Sequence, residues 1–219
     1  MPQPLRWWPD DITFGANALA ERPTLAIGIA GVAAAWAEIE VTLGILLGTI
    51  LHTEMHTGIS MYLSLKGSAA QDAALAAAAK AKLPNDLKRK FEDLLLIMRK
   101  RGKERNKIVH GLWGISPQLP DALINCQPEH FIRDLIEVLT DHPKSGASAS
   151  ILNVYDNRDF IAIISRLYDL KDELGKFINS VENAHDQQPE PTQAPTVPPG
   201  AGASMPPPAG NQTNPEERS

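Results

Sequence analysis

Residues 156–181 read DNRDFIAIISRLYDLKDELGKFINSV and contain the most regular apolar repeat in the chain. Its members follow one another at alternating spacings of three and four: Phe160, Ile163, Leu167, Leu170, Leu174, Phe177 and Val181. This spacing places all of these side chains on one face of a helix. Asp156, with Asp159 three residues later, is suited to cap the helix start. The stretch therefore predicts a long amphipathic helix that packs within the chain or against a partner helix.

Three further helices are predicted upstream from apolar spacing and boundary residues, over residues 24–52, 68–83 and 85–110. Thr24 can cap the first, and Ser68 begins a capping-box pattern, S-A-A-Q, for the second. Gly111 is a suitable stop for the third. The roughly forty residues before the fourth helix are less regular: ALINC and SILNVY predict short strands, and EHFIRDLIEVL predicts a short helix. We expect an all-α, up-and-down bundle of about four to five helices with a small irregular or β insert.

The two ends of the chain differ from this bundle. Residues 1–23 predict an N-terminal arm, and residues 24–185 form the predicted bundle domain. Residues 186–219 contain nine of the 18 prolines and almost no large apolar side chains. Such a composition buries too little surface to offset its ordering entropy, so it predicts a disordered tail.

The remaining composition narrows the class of protein. Cys126 is the only cysteine, so a disulfide framework or a thiol-based metal site is not expected. The N-terminus lacks the pattern of a signal peptide. Residues 24–51 are long and apolar enough to resemble a membrane span, but Glu38 and Glu40 lie in their middle, where hydrocarbon would penalise them. A cytoplasmic protein with no membrane association is predicted, with anchoring by the first helix as a weaker alternative.

The third helix carries an unusual polar break. Residues 80–107 contain eleven lysines and arginines and four acids, a net charge of +7 in a chain of −5. Its apolar seam begins at Leu87 and, continued past Met98 at the same rhythm, reaches Arg101 and Arg105. An inward guanidinium needs a partner, and the first helix has Glu40 on its own inward stripe. A Glu40–Arg105 ion pair is therefore predicted.

The sequence RNKIVH (residues 105–110) places functional groups close to this break. Asn106 and His110 are four residues apart on one helical face, with Arg105 beside them and Lys103 and Lys107 on the adjoining face. An arginine fork suits phosphate oxygens, and an imidazole titrates near neutral pH. These groups are those that metal-free RNA cleavage requires. The alternative is structural, because basic side chains near a helix C-terminus are favoured by the helix dipole.

RNKIVHG, with its preceding basic run and the following Trp113, resembles the Arg-x4-6-His motif of HEPN domains. These all-α bundles occur in many prokaryotic toxin–antitoxin and abortive-infection proteins. The resemblance covers roughly residues 24–180 and includes a long first helix with a central acid. It implies a metal-independent endoribonuclease whose site is completed in a homodimer, and RNA and a cognate antitoxin as partners.

The resemblance also implies roles for individual residues. His110 would be the general base or acid, Arg105 would steady the phosphate, Asn106 would position it and Glu40 would hold Arg105. The charge of the segment, rather than the resemblance, predicts that the surrounding cations bind RNA, with an ordinary solvated helix face as the alternative: Arg99, Arg101, Lys103 and Lys107. Leu112 occupies a position where nucleotidyltransferase-controlled HEPN toxins have a modifiable tyrosine, so that form of control is not expected.

Two alternatives to a nuclease site remain open from the sequence. The bundle could be a non-catalytic interaction module that binds a protein or RNA. His52 and His56 are four residues apart, a spacing that can bind metal, but no third ligand is evident and a helix end followed by a loop is favoured. The sequence contains no glycine-rich phosphate loop and no evident set of metal ligands, so no cofactor or resident metal is expected.

Overall fold

The structure, a computed structural model, describes residues 2–5, 9, 11–132 and 152–186. Its helices are α1 (Ala16–Glu21), α2 (Pro23–Leu51), α3 (Met55–Ser64), α4 (Ser68–Lys82), α5 (Asn85–His110) and α6 (Asn157–Asp186). Its strands are β1 (Gln3–Pro4), β2 (Thr13–Phe14), β3 (Leu112–Ile115), β4 (Leu123–Cys126) and β5 (Asn153–Tyr155). The predicted helical bundle with a small β insert is confirmed.

The apolar repeat of α6 forms one side of the core. All seven of its stripe residues are buried, and α6 packs mainly against α2. The predicted cap is also present: the Asp159 amide donates to Asp156 Oδ1 at 3.1 Å, and the Asp156 amide donates to Asp159 Oδ2 at 3.2 Å. The stripe therefore serves packing within the chain rather than a partner helix.

The central helix is α2, which contacts α1, α3, α4, α5 and α6. Val32, Ile39 and Ile50 are completely buried, whereas Glu38 faces outward and accepts a 2.6 Å ion pair from Lys171 of α6. Among the described helices, α2 alone has the length and hydropathy of a membrane span, with a mean hydropathy of 1.6 over its most apolar window. The central helix of a bundle can have the same composition.

Helix α3 was not predicted, because its sequence offers no clear apolar repeat. It is held by a close crossing with α2, where Gly44 and Gly48 face Ile59 and Gly58. A Cβ atom added to Gly58 would lie 2.5 Å from the Cα of Gly48, so the two backbones pack directly on each other. A helix stabilised through backbone contact leaves little signal in side-chain periodicity.

Two short stretches of the N-terminal residues pair in the sheet. The strand order is β1-β5-β4-β3-β2, and every pairing is antiparallel. Residues 3–4 and 13–14 therefore supply both edge strands. The predicted strands ALINC and SILNVY are confirmed by β4 and β5, whereas β1, β2, β3 and α1 were not predicted.

The boundaries of α4 and α5 match the prediction with one correction. Ser68 does not cap α4, because the N-cap residue is Gly67 (φ 84°) and no side chain bonds the free amides there. Helix α5 ends at His110, and its seam buries Leu87, Phe91 and Met98 as expected. Only residues 129–132 of the predicted short helix EHFIRDLIEVL are described, and they are helical. The predicted tail lies outside the described residues.

Candidate functional site

The predicted motif opens onto a cleft between α2, α3, the start of α4 and the C-terminal half of α5. The cleft has a volume of about 590 Å³. We call it the motif cleft, and its polar and aromatic lining comprises Trp36, Glu40, Tyr62, Ser68, Gln71, Asp72, Arg99, Lys103, Arg105, Asn106 and His110. The structure thus brings together all three motif residues, Glu40 and two of the predicted RNA-binding cations.

Arg105 is half-buried, as its position on the seam predicted. Its Nη1 donates to the Oδ1 of Asn106 at 3.0 Å, and its Nε is buried without a hydrogen-bond partner. No carboxylate of the described residues lies within 4 Å of this guanidinium. Because its bonded partner is a neutral amide, Arg105 retains an unmatched positive charge and free N–H donors at the cleft wall.

Asn106 and His110 are both exposed and lie one helical turn apart, as predicted. The amide oxygen of Asn106 is occupied by Arg105, which leaves its amide nitrogen available as a donor. The imidazole of His110 makes no hydrogen bond with the described residues. It can therefore reach a bound ligand with either ring nitrogen.

The predicted Glu40–Arg105 ion pair is wrong. The Oε1 of Glu40 instead accepts a hydrogen bond from Nε1 of Trp36, one turn earlier on α2, at 3.0 Å. The indole of Trp36 packs on α5 at Gly102, where an added Cβ would lie 3.1 Å from the ring. Glu40 therefore orients an aromatic wall of the motif cleft and leaves Arg105 unneutralised.

Sequence reasoning missed the contribution of α3 and α4 to the motif cleft. Tyr62 of α3 is 3% exposed, and its burial, together with the charges of Glu40 and Asp72, raises the pKa of its hydroxyl well above the usual value. The phenol is therefore neutral at physiological pH and can act as a hydrogen-bond donor. The pair Gly44 and Gly48, four residues apart on α2, was the available signal for a close helix crossing there.

The four predicted RNA-binding cations do not form one surface. Arg99 pairs with Asp72 of α4 at 2.9 Å. Arg101 pairs with Glu104 at 3.4 Å, and the same carboxylate accepts Arg166 of α6 at 2.8 Å. Arg101 therefore belongs to a network that joins α5 to α6. Of the four, Lys103 lines the motif cleft and forms no ion pair with another described residue, and Lys107 is exposed on α5.

The histidines of HTEMH do not converge. His52 ends α2 in a left-handed conformation (φ 56°) and stacks on His185 of α6 with ring centroids 3.5 Å apart. His56 instead lies 3.2 Å from Glu54. Within the described part of the chain, no group of three or more histidine, cysteine or acidic side chains is placed to share a metal ion. The interpretation of this segment as a helix end is confirmed, although α3 follows it directly.

Comparisons of the chain with protein-family models, with characterised proteins and with solved structures gave no match.

Proposed function

We propose that the protein is a metal-independent endoribonuclease of HEPN type that cleaves RNA in the motif cleft. The observation that carries this proposal is the state of Arg105, a half-buried guanidinium bonded to an amide rather than to a carboxylate. An exposed histidine, His110, lies five residues further along the same helix and lines the same cleft. Desolvated arginine donors without a counter-ion favour an anionic ligand, and a phosphodiester is an anion whose cleavage uses a base.

The proposed chemistry assigns one role to each motif residue. His110 removes the proton of a ribose 2′-hydroxyl, and the 2′-oxygen attacks the adjacent phosphorus. Arg105 stabilises the negative charge that develops on the phosphoryl oxygens, and the Asn106 amide nitrogen donates to one of them. The bond from phosphorus to the 5′-oxygen breaks, and that oxygen takes a proton from water or from the corresponding histidine of a second copy. The products are a 2′,3′-cyclic phosphate and a free 5′-hydroxyl.

We propose that the active form is a cytoplasmic homodimer, with a role as a toxin or in phage defence under a cognate antitoxin. The resemblance to HEPN domains supports this part of the proposal. Each motif cleft contains a single histidine among its lining residues, so a second copy is the natural source of a separate general acid. Light scattering during gel filtration measures the oligomeric state.

The test is cleavage of a labelled RNA by the wild-type protein and by His110→Ala, at near-stoichiometric ratios and in the presence of EDTA. We expect cleavage with cyclic phosphate ends by the wild type and its loss in the variant. His56→Ala is the matched control, because this histidine is 78% exposed and outside the motif cleft, and it should cut normally. If His110→Ala cleaved RNA as fast as the wild type, the proposed nuclease function would be rejected. RNA binding without cleavage would support the non-catalytic interaction module instead.

A further inference from the structure

The end of α5 is fixed by side chains that lie in β3 and β4 or directly after β4. The last four carbonyl groups of a helix lack intrahelical donors, and in α5 these belong to residues 107–110. The Lys107 carbonyl accepts hydrogen bonds from Gln127 Nε2 at 3.1 Å and from Asn125 Nδ2 at 3.3 Å. The Ile108 carbonyl accepts from Trp113 Nε1 at 3.1 Å. Two of the four carbonyls are thus held by groups outside the helix.

The two amides also hold each other. Gln127 Nε2 donates to Asn125 Oδ1 at 2.9 Å, so Gln127 uses its amide nitrogen for both Asn125 and Lys107. Asn125 is 1% exposed and lies in β4, between β3 and β5. A buried carboxamide in a paired strand has little freedom to move, and it transfers that rigidity to its partners.

Gly111 allows this contact. Its backbone is extended (φ −72°, ψ 152°), a conformation open to any residue, so the glycine is not required by its dihedral angles. A Cβ atom at this position would overlap the side-chain amide nitrogen of Asn125. The absence of a side chain therefore lets β4 approach the helix end closely.

The Lys107 carbonyl, which Asn125 and Gln127 both bond, belongs to the RNKIVH motif. Lys107 directly follows Asn106 and precedes His110 by three residues, so its peptide group belongs to the turn that presents both side chains to the motif cleft. An amide pair serving only as a helix cap would have the same bonds. A positioning role differs from a cap in one respect: the position of the last turn of α5 must control the rate of the chemical step.

We infer that Asn125 and Gln127 are positioning residues, which hold the last turn of α5 so that Asn106 and His110 face the motif cleft. This inference rests on the proposed nuclease function. Displacements of about 1 Å from a productive geometry can cost on the order of a hundredfold in rate. A partial loosening of the turn is therefore expected to reduce kcat by about tenfold while leaving KM within about twofold.

The test uses Gln127→Met, because Gln127 is half-buried and methionine is neutral and of similar size but has no donor. Gln127→Lys restores an N–H donor and should recover most of the lost kcat. Asn153→Ala is the matched control: Asn153 pairs with Asn125 in the sheet register, and no hydrogen bond joins its side chain to α5 among the described residues. It should leave kcat unchanged.

Amide hydrogen exchange of the same proteins provides a second measurement that does not depend on cleavage. In Gln127→Met, amides of residues 108–111 should exchange faster, and those of the first turns of α5 should not change. Faster exchange with an unchanged kcat would make the amides a helix cap alone and overturn the positioning role, as would no change in either measurement. If the wild type cuts no RNA, both the proposed function and the positioning role are rejected. Faster exchange in Gln127→Met would then show that the two amides only cap the helix.

Discussion

Helices α5 and α6 both carry an apolar seam, but the two seams differ in their C-terminal halves. In α6 the seam runs from Phe160 to Val181, and every member is buried. In α5 the seam is apolar up to Met98, and arginines then occupy its next two positions before Ile108 is buried again. Helix α6 therefore packs along its whole seam, whereas the seam of α5 opens into the motif cleft.

The two arginines of the α5 seam show that the break has two parts. Arg101 shares the carboxylate of Glu104 with Arg166, so its charge contributes to the contact between α5 and α6. Arg105 has only the Asn106 amide as its bonded partner among the described residues. A charge matched by a carboxylate serves structure, whereas an unmatched charge beside a cleft is available to a ligand.

The largest expected effect is on stability, from truncation of the continuous seam. Leu174 of α6 is completely buried, and Leu174→Ala should destabilise the protein by about 3 kcal/mol because it removes apolar contacts and leaves a cavity. Urea unfolding followed by circular dichroism measures the change. The neighbouring Glu173→Ala is the control, since this carboxylate is 56% exposed and its pair with Lys176 should contribute less than about 0.5 kcal/mol. Similar losses from both variants would contradict a core role for the stripe.

Replacing Arg105 by an apolar residue should reduce cleavage without reducing stability. Arg105→Met should leave stability unchanged or raise it by up to about 1 kcal/mol, because it removes a half-buried charge that has no counter-ion. Cleavage should fall by about a hundredfold or more, because the developing phosphoryl charge loses its stabilising donor. Kinetic assays and urea unfolding of the same protein measure both effects.

Arg101→Met is the matched variant on the same seam. It should cut RNA normally and lose up to about 1 kcal/mol of stability, since Glu104 keeps its bond to Arg166. If Arg101→Met abolished cleavage and Arg105→Met did not, the assignment of the two arginines would be reversed.

The partner of Glu40 can be measured by double-mutant cycles. We expect a coupling free energy of about 1 kcal/mol between Glu40 and Trp36, from Glu40→Leu and Trp36→Phe, because a hydrogen bond to a carboxylate joins them. The cycle of Glu40→Leu with Arg105→Met should give a coupling within about 0.3 kcal/mol of zero. A larger coupling to Arg105 than to Trp36 would restore the ion pair predicted from the sequence.

These comparisons also indicate what sequence periodicity can predict. Periodicity correctly predicted α6, the ends of α5 and the partial burial of Arg105. Each of these depends only on which face of a single helix a side chain occupies. It gave Glu40 the wrong partner, because helical phase does not say which neighbour lies within bonding distance, and Trp36 on the same helix is nearer. Tyr62 and Asn125 were missed because a backbone-to-backbone crossing and a short strand position them.

The smallest expected effect concerns the stacked histidines at the far end of α6. Burial, followed by the nearby His52, lowers the pKa of His185, while Asp186 and Glu182 act in the opposite direction. These four residues line a second cleft at this end of α6, together with Ile45, Thr49, Thr53 and Met55. On the adjacent helix α3, His56 is paired with Glu54. A histidine whose pKa is lowered by folding takes up its proton first in the unfolded chain.

The protein should therefore lose stability as the pH falls below about 6.5, and the loss should level off below the folded-state pKa of His185. Urea unfolding at several pH values between 7.5 and 5 measures this dependence. His185→Phe keeps an aromatic ring against His52 and removes the titrating group, so the dependence should become shallower over that range. An identical pH profile in the variant would assign the titration elsewhere. Cleavage near neutral pH should not respond to this change, because His185 and His110 line separate clefts.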